Sequence, residues 1–217
     1  MKEARLDWER ATRTGVPEAI YCEGKTAIQI NSILAEAREK SRSLLLTRLD
    51  AEKAAALEGA LDYDEGSATA ILGEMPARTD LGVAIVAAGT SDTRAAYEAQ
   101  RTLAFSGLSA DLHIDVGVAG LWRLTECAAQ LQEKRIVIAC AGFEAALFSV
   151  LAGLIKAPII AVPTSVGFGV AAGGQAALSS ALASCAPGVL TVNIDNGFGA
   201  ASAAIKILNA TIGEPAK

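Results

Sequence analysis

Residues 83–92 read Val-Ala-Ile-Val-Ala-Ala-Gly-Thr-Ser-Asp. A short aliphatic run that ends on a glycine and passes through two hydroxyls to a carboxylate predicts a strand, a turn and a helix start. The same plan recurs downstream. Strands are predicted at Val83–Ala88, Leu112–Val116, Ile136–Ala141, Ile159–Pro163 and Val189–Asn193, with helices beginning near Asp92, Leu121, Ala145, Gln175 and Ala200. Alternating strands and helices indicate repeated βα units. Strands that are apolar almost throughout need cover on both faces. The prediction is an α/β fold: a three-layer α/β/α sandwich around a five-stranded parallel sheet.

The residues before that block differ. They offer a helix from Thr26 to Lys40, a strand at Leu44–Thr47, a helix from Asp50 to Leu61 and a short strand at Ala68–Leu72. Charge separates the two parts. Residues 1–80 carry 26 charged side chains, whereas the remaining 137 residues carry 17. A segment so poor in charge buries most of its surface or covers it with other subunits. The expected organisation is a small α+β domain over residues 1–78 and a catalytic α/β domain over residues 79–217. Small residues at Ala200–Ala204 permit close helix approach, within the chain or between subunits.

A net charge of −5 with no cluster of Lys and Arg argues against a nucleic-acid surface. The N-terminus opens on charged residues without an apolar signal-type core, which points to the cytoplasm. Residues 157–194 carry no charge. Prolines and glycines break that stretch into pieces shorter than the roughly 20 apolar residues a membrane-spanning helix needs. It reads as a buried strand, a glycine loop and a buried helix.

In an open parallel sheet, ligands bind beyond the carboxyl ends of the strands. After the first strand, Gly89, Thr90, Ser91 and Asp92 offer amides and hydroxyls at a helix N-terminus, either an anion site or an ordinary cap. After the second come Asp115 and Gly117. After the third, Gly142 precedes Glu144, the sole carboxylate between Glu133 and Asp195. That carboxylate either complements the helix dipole or, if desolvated in a crevice, handles protons. After the fourth, Ser165, Gly167 and Gly169 belong to a donor-rich loop suited to phosphate, and after the fifth comes Asn196. Five such loops at one edge favour a nucleotide-sized site.

Cys127 and Cys140 read as core thiols. The surroundings of Cys22 are open. Cys185 falls where the fourth helix should end, a place that disfavours a thiolate unless a cationic substrate is present. His113, the sole histidine, should be packed inside the second strand.

The blocks AGTSD at 88–92, DVGVAGLWRL from Asp115, AVPTSVGFG from Ala161, SCAPG around Cys185 and VNIDNGFGA from Val192 together resemble the LarB family. GVPEAIYCEGKT from Gly15 resembles that family's opening block. LarB proteins are pyridinium-3,5-biscarboxylic acid mononucleotide synthases of nickel-pincer nucleotide biosynthesis. Their second domain is similar to the PurE aminoimidazole ribonucleotide carboxylases, which have a flavodoxin-like sheet. The resemblance implies carboxylation of nicotinic acid adenine dinucleotide at ring carbon C5 by CO2 or bicarbonate, with release of AMP. It implies Cys185 as the thiolate that adds at C4, and Glu144 as a proton-transfer group or the residue that orients a hydrolytic water. Ser91 and Asp92 would face phosphate and ribose, and Lys25 the adenylate half. A homo-octamer is implied. No tightly bound cofactor or metal is expected, although a Mg2+ carried by substrate phosphates stays open. Where the family's third-strand loop reads AGMEGALP, this chain has AGFEAALF, and Cys22 replaces a usual glycine. A PurE-like carboxymutase lacks support because no histidine occupies that loop. A non-catalytic nucleotide-binding module is the other alternative.

Overall fold

A computed structural model describes residues 4–211. In the first sheet, α1 (Arg10–Thr14) is followed by β1 (Ala19–Tyr21), α2 (Ala27–Glu39), β2 (Leu44–Thr47), α3 (Ala51–Ala55), β3 (Asp62–Asp64) and β4 (Thr69–Leu72). The strand order is β1-β2-β4-β3, with only the β1–β2 pair parallel.

Helix α2 begins where Thr26 predicts. The Thr26 hydroxyl accepts from the Gln29 amide at 3.2 Å, while the Gln29 side chain accepts from the Thr26 amide at 2.9 Å. Ile30, Ile33, Leu34 and Ala37 form one buried stripe, packed with Leu44 and Leu46 of β2. Removing the cap by Thr26→Ala is expected to cost about 1 kcal/mol, read as a lower urea midpoint with unchanged slope.

The helix expected from Asp50 to Leu61 is shorter. Asp50 accepts from the Lys53 amide at 2.7 Å and starts α3, but the helix ends at Ala55. Gly59, at φ +78°, then turns the chain into β3. Strands β1 and β3, at three residues each, and the five-residue α1 are too short to leave a periodic signal.

The second sheet holds β5 (Thr79–Ala87), β6 (Leu108–His113), β7 (Ile136–Ala141), β8 (Ile159–Pro163) and β9 (Val189–Thr191). All pairings are parallel, in the order β6-β5-β7-β8-β9. Helices α4 (Thr93–Phe105) and α8 (Gly197–Thr211) share one face. The other face carries α5 (Leu121–Gln132), α6 (Leu147–Leu154) and α7 (Gln175–Leu182). This is the three-layer architecture expected from the sequence. Ala200, Ala201 and Ala204 are fully buried in the cluster that includes Ala95 and Ala99 of α4, so these small residues serve packing within the chain.

Two features lie elsewhere than expected. The second strand starts at Leu108 and ends at His113, earlier than the predicted Leu112–Val116. It is an edge strand, and the later apolar residues Ile114 and Val116 pack into the core after the strand has ended, around Asp115 at φ 62°. Helix α6 starts at Leu147 rather than near Ala145, because Phe143 and Ala145 take φ values of 53° and 50°. Among the described residues no helix is long and apolar enough to cross a membrane.

Candidate active site

The loops after β5, β6, β7 and β8 build a cavity of about 360 Å³ that includes Gly89, Ser91, Gly117, Gly142 and Glu144 in its lining. A second cavity, about 300 Å³, lies between the two sheets' domains and takes Glu23, Arg48, Asp50 and Ser67 from the first and Arg94 and Glu98 from the second. Ser91, Asp92 and Val166 line both. The two cavities are therefore neighbours, each of a size small-molecule ligands use.

Asp92 ties the site together from inside. Its carboxylate accepts from the Gly89 amide at 2.9 Å and the Thr164 hydroxyl at 2.5 Å, and it is only 5% exposed. Burial pushes this carboxyl above its ordinary value, against the pull of bonds from Thr164, Gly89 and Gly142, with nearby Asp195 adding to the rise. The folded chain therefore holds this proton more tightly than the unfolded chain. Ionisation of Asp92 works against folding at neutral pH, and that penalty shrinks as pH falls toward the ordinary value of 3.8. Wild type is expected to gain stability relative to Asp92→Asn between about pH 7 and about pH 4. Urea midpoints across that range check it; a constant gap would contradict it.

The glycines divide into two kinds. A Cβ at Gly142 would lie 2.3 Å from the Val166 carbonyl, and one at Gly117 would lie 2.7 Å from the Ala88 carbonyl. Both permit close backbone approach. Gly89 instead has φ −132° and the nearest obstacle 3.5 Å away, so its missing side chain leaves space for a ligand. Beyond β8, Gly167 and Gly169 adopt positive φ, and Phe168 stacks edge-on to Phe143 at 5.5 Å. Thr90 opens the short 3-10 turn that leads into α4.

Several expected ligand residues have other engagements. Asp115 forms an ion pair with Arg123. The Asn196 side-chain Oδ1 accepts from the Gly199 amide at 2.8 Å, inside the first turn of α8, and Asn196 lines a different cavity beside Tyr21 and Thr47. Lys25 donates to the Tyr21 carbonyl at 2.9 Å and reaches neither cavity. The Ser165 amide donates to the Asp195 carboxylate at 2.8 Å, while its residue lines the interdomain cavity.

Arg48 and Glu98 were not singled out from the sequence. Arg48 Nε lies 3.3 Å from Glu98 Oε1, and Arg48 also donates to the Asp195 carbonyl. Glu98 is 3% exposed; burial raises its carboxyl, opposed by Arg48 and by the amides of Phe198 and Gly197. This pair pins the first domain to the crevice. The legible signal was Glu98 on the stripe Ala95, Glu98, Thr102 and Phe105, where a helix normally carries apolar residues.

The two candidate catalytic groups are placed differently from each other. Glu144 lies exposed in the crevice lining, so the desolvation expected of a buried proton carrier is absent from a single chain. Cys185 is exposed too, three residues beyond the end of α7, in the connection that leads into the start of β9. It lines neither crevice cavity. Cys127 and Cys140 are core thiols, as expected, and Cys22 is fully buried with its thiol pushed up to about 12 by burial. His113 belongs to the second strand, as expected, as the last residue of β6, and is half-buried. Among the described residues no group of three or more His, Cys, Asp or Glu could hold a metal ion.

A doubly wound parallel sheet with a glycine-lined crevice at its carboxyl edge has its cavity where open α/β sheets bind their ligands. Residues 1–74 match the LarB/PurE-like N-terminal domain, and residues 82–215 match AIR carboxylase. The chain belongs to the LarB family, with its PurE-like carboxylase domain. It is also similar to an uncharacterized protein of Methanocaldococcus jannaschii, 36% identical over 208 residues, spanning 90% of this chain and 80% of that protein.

Proposed function

We propose that this chain carboxylates the pyridinium ring of nicotinic acid adenine dinucleotide at C5 and hydrolyses its phosphoanhydride. The products would be pyridinium-3,5-biscarboxylic acid mononucleotide and AMP. The observation that carries this reading is the pair of neighbouring cavities: a glycine-lined, less polar one and a charged interdomain one, with Ser91 and Asp92 in the lining of both. The family's carboxylase domain supports the reaction type.

A pyridinium carbon is electron-poor and does not attack CO2. Addition of the Cys185 thiolate at C4 forms an S–C bond and turns the ring into a dihydropyridine whose C5 is enamine-like. C5 then forms its bond to CO2. A base removes the C5 proton, and the C4–S bond breaks to return the thiolate and the aromatic ring. Glu144 is assigned to that proton or to the water that splits the phosphoanhydride. Ser91, at the mouth of α4, is assigned to phosphate, where helix-terminal amides favour anions. In place of Lys25, Arg94 is the cation assigned to the adenylate half, since it is exposed and lines the interdomain cavity. No tightly bound cofactor is proposed; a Mg2+ carried by the substrate phosphates would neutralise charge at the phosphoanhydride. The proposed unit is a homo-octamer, each chain divided between Arg78 and Thr79.

The AIR carboxylase match favours a second reading, a carboxymutase acting on an imidazole ribonucleotide. The loop Gly142-Phe143-Glu144-Ala145 offers no histidine for it, and His113 ends a different strand. Alkylation separates catalysis from mere nucleotide binding. Reaction of Cys185 that nicotinic acid adenine dinucleotide suppresses supports the proposal; Cys185 labelling that ignores the dinucleotide supports a binding module.

A further inference from the structure

We propose that Arg48, a residue of the first domain, is a positioning residue for substrate: it sets the loop after β9 and, through Asp195, the Ser165 end of the loop that follows β8. This rests on the proposed dinucleotide reaction for its substrate and deepens it by giving the first domain a part in binding. The backbone is the first argument. Arg48 follows β2 at φ 53°, in the left-handed region that residues other than glycine rarely adopt. That conformation is held from both sides. The Thr47 carbonyl accepts from the Cys22 amide at 2.9 Å, and the Leu49 amide donates to the Ala68 carbonyl at 2.8 Å, with Leu49 fully buried. A left-handed arginine that its neighbours enforce points to a task for its side chain.

The partners of the guanidinium are the second argument. Its Nε lies 3.3 Å from Glu98 Oε1, and its Nη2 donates to the Asp195 carbonyl. Glu98 in turn accepts from the Phe198 amide at 3.2 Å, so the Arg48–Glu98 pair grips the connection between β9 and α8 at two points. Asp195 is itself left-handed, at φ 55°, and passes the constraint on. Its amide donates to the Pro163 carbonyl at 2.7 Å, and its carboxylate accepts from the Ser165 amide at 2.8 Å. Ser165 lines the interdomain cavity, with Arg48 and Arg94, but not the cavity that holds Glu144. Misplacing it would weaken the hold on the dinucleotide and leave the ring chemistry in place.

Arg48→Lys tests this, because an ammonium keeps the charge beside Glu98 but, as a single point, loses the fork that also reaches Asp195. The expected result is a folded chain whose KM for nicotinic acid adenine dinucleotide rises about tenfold while kcat stays within about twofold of wild type. A purely structural part would lower the active fraction, and so kcat, at unchanged KM; that result overturns the inference. Asp195→Gly keeps the left-handed turn accessible and removes the acceptor for Ser165. Combined with Arg48→Lys, it should raise KM no further than Asp195→Gly does alone. Effects that multiply would mean that Arg48 meets the ligand itself, which also overturns the inference. Hydrogen exchange of residues 164–174 separates this inference from the reaction. If wild type forms no product, the proposed function fails, while faster exchange there in Arg48→Lys still supports the positioning and unchanged exchange overturns it. Should Arg48→Lys melt early, Arg48→Ala with Glu98→Gln, which strands no charge, takes its place with the same readouts.

Discussion

Cys185→Ala is expected to abolish carboxylation, lowering product formation by at least about a thousandfold, while leaving the fold intact. The two halves of that expectation have separate grounds. The side chain is exposed and lies outside α7, so its loss creates no cavity and unpairs no buried group. Without a sulfur to add at C4, the ring keeps its positive charge and C5 stays unreactive toward CO2. An unchanged thermal midpoint together with lost turnover is the expected pair of measurements. Turnover at the wild-type rate would contradict thiolate addition.

Arg48→Ala is the largest expected stability effect, a loss of about 3–5 kcal/mol. Glu98 is almost wholly buried, and the arginine is its charged partner across the domain interface. Removing the arginine leaves a desolvated carboxylate whose main compensation comes from two backbone amides. Adding Glu98→Gln to Arg48→Ala should restore part of the loss, because the stranded charge rather than the missing side-chain volume carries the cost. Urea denaturation of both variants checks this; a loss under about 1 kcal/mol for Arg48→Ala would show that the pair does not hold the domains together.

The parallel sheet was legible because its central strands are continuous apolar runs. Ile136–Ala141 and Ile159–Pro163 fall where the sequence places them, since strands buried on both faces leave an unbroken signal. At the edge that signal degrades. Strand β6 alternates weakly, and Ile114 and Val116 mimic its continuation while packing from a loop. The first domain's β1 and β3 are too short for any period to register.

The crevice was legible as a set of loops, not as a set of partners. Residue types at Asp115, Asn196 and Lys25 suit a ligand, yet each is spent on a bond to its own neighbourhood: a guanidinium eight residues on, an amide three residues on, a carbonyl four residues back. Sequence shows the donor or acceptor and hides what already occupies it. The reverse holds for Arg48 and Glu98, which look like ordinary surface charges until the fold joins them across fifty residues. Cys185 illustrates a third limit. The order of helix and strand shows which side of the sheet its connection serves, but that Cys185 lines neither crevice cavity emerges only from the fold.

The central claim is a specific reaction, and product mass tests it most directly. Wild-type protein incubated with nicotinic acid adenine dinucleotide and isotopically labelled bicarbonate should yield free AMP and a nicotinate mononucleotide bearing one added, labelled carboxylate. Recovery of the dinucleotide intact, alongside interconversion of carboxylated imidazole ribonucleotides by the same preparation, would contradict it.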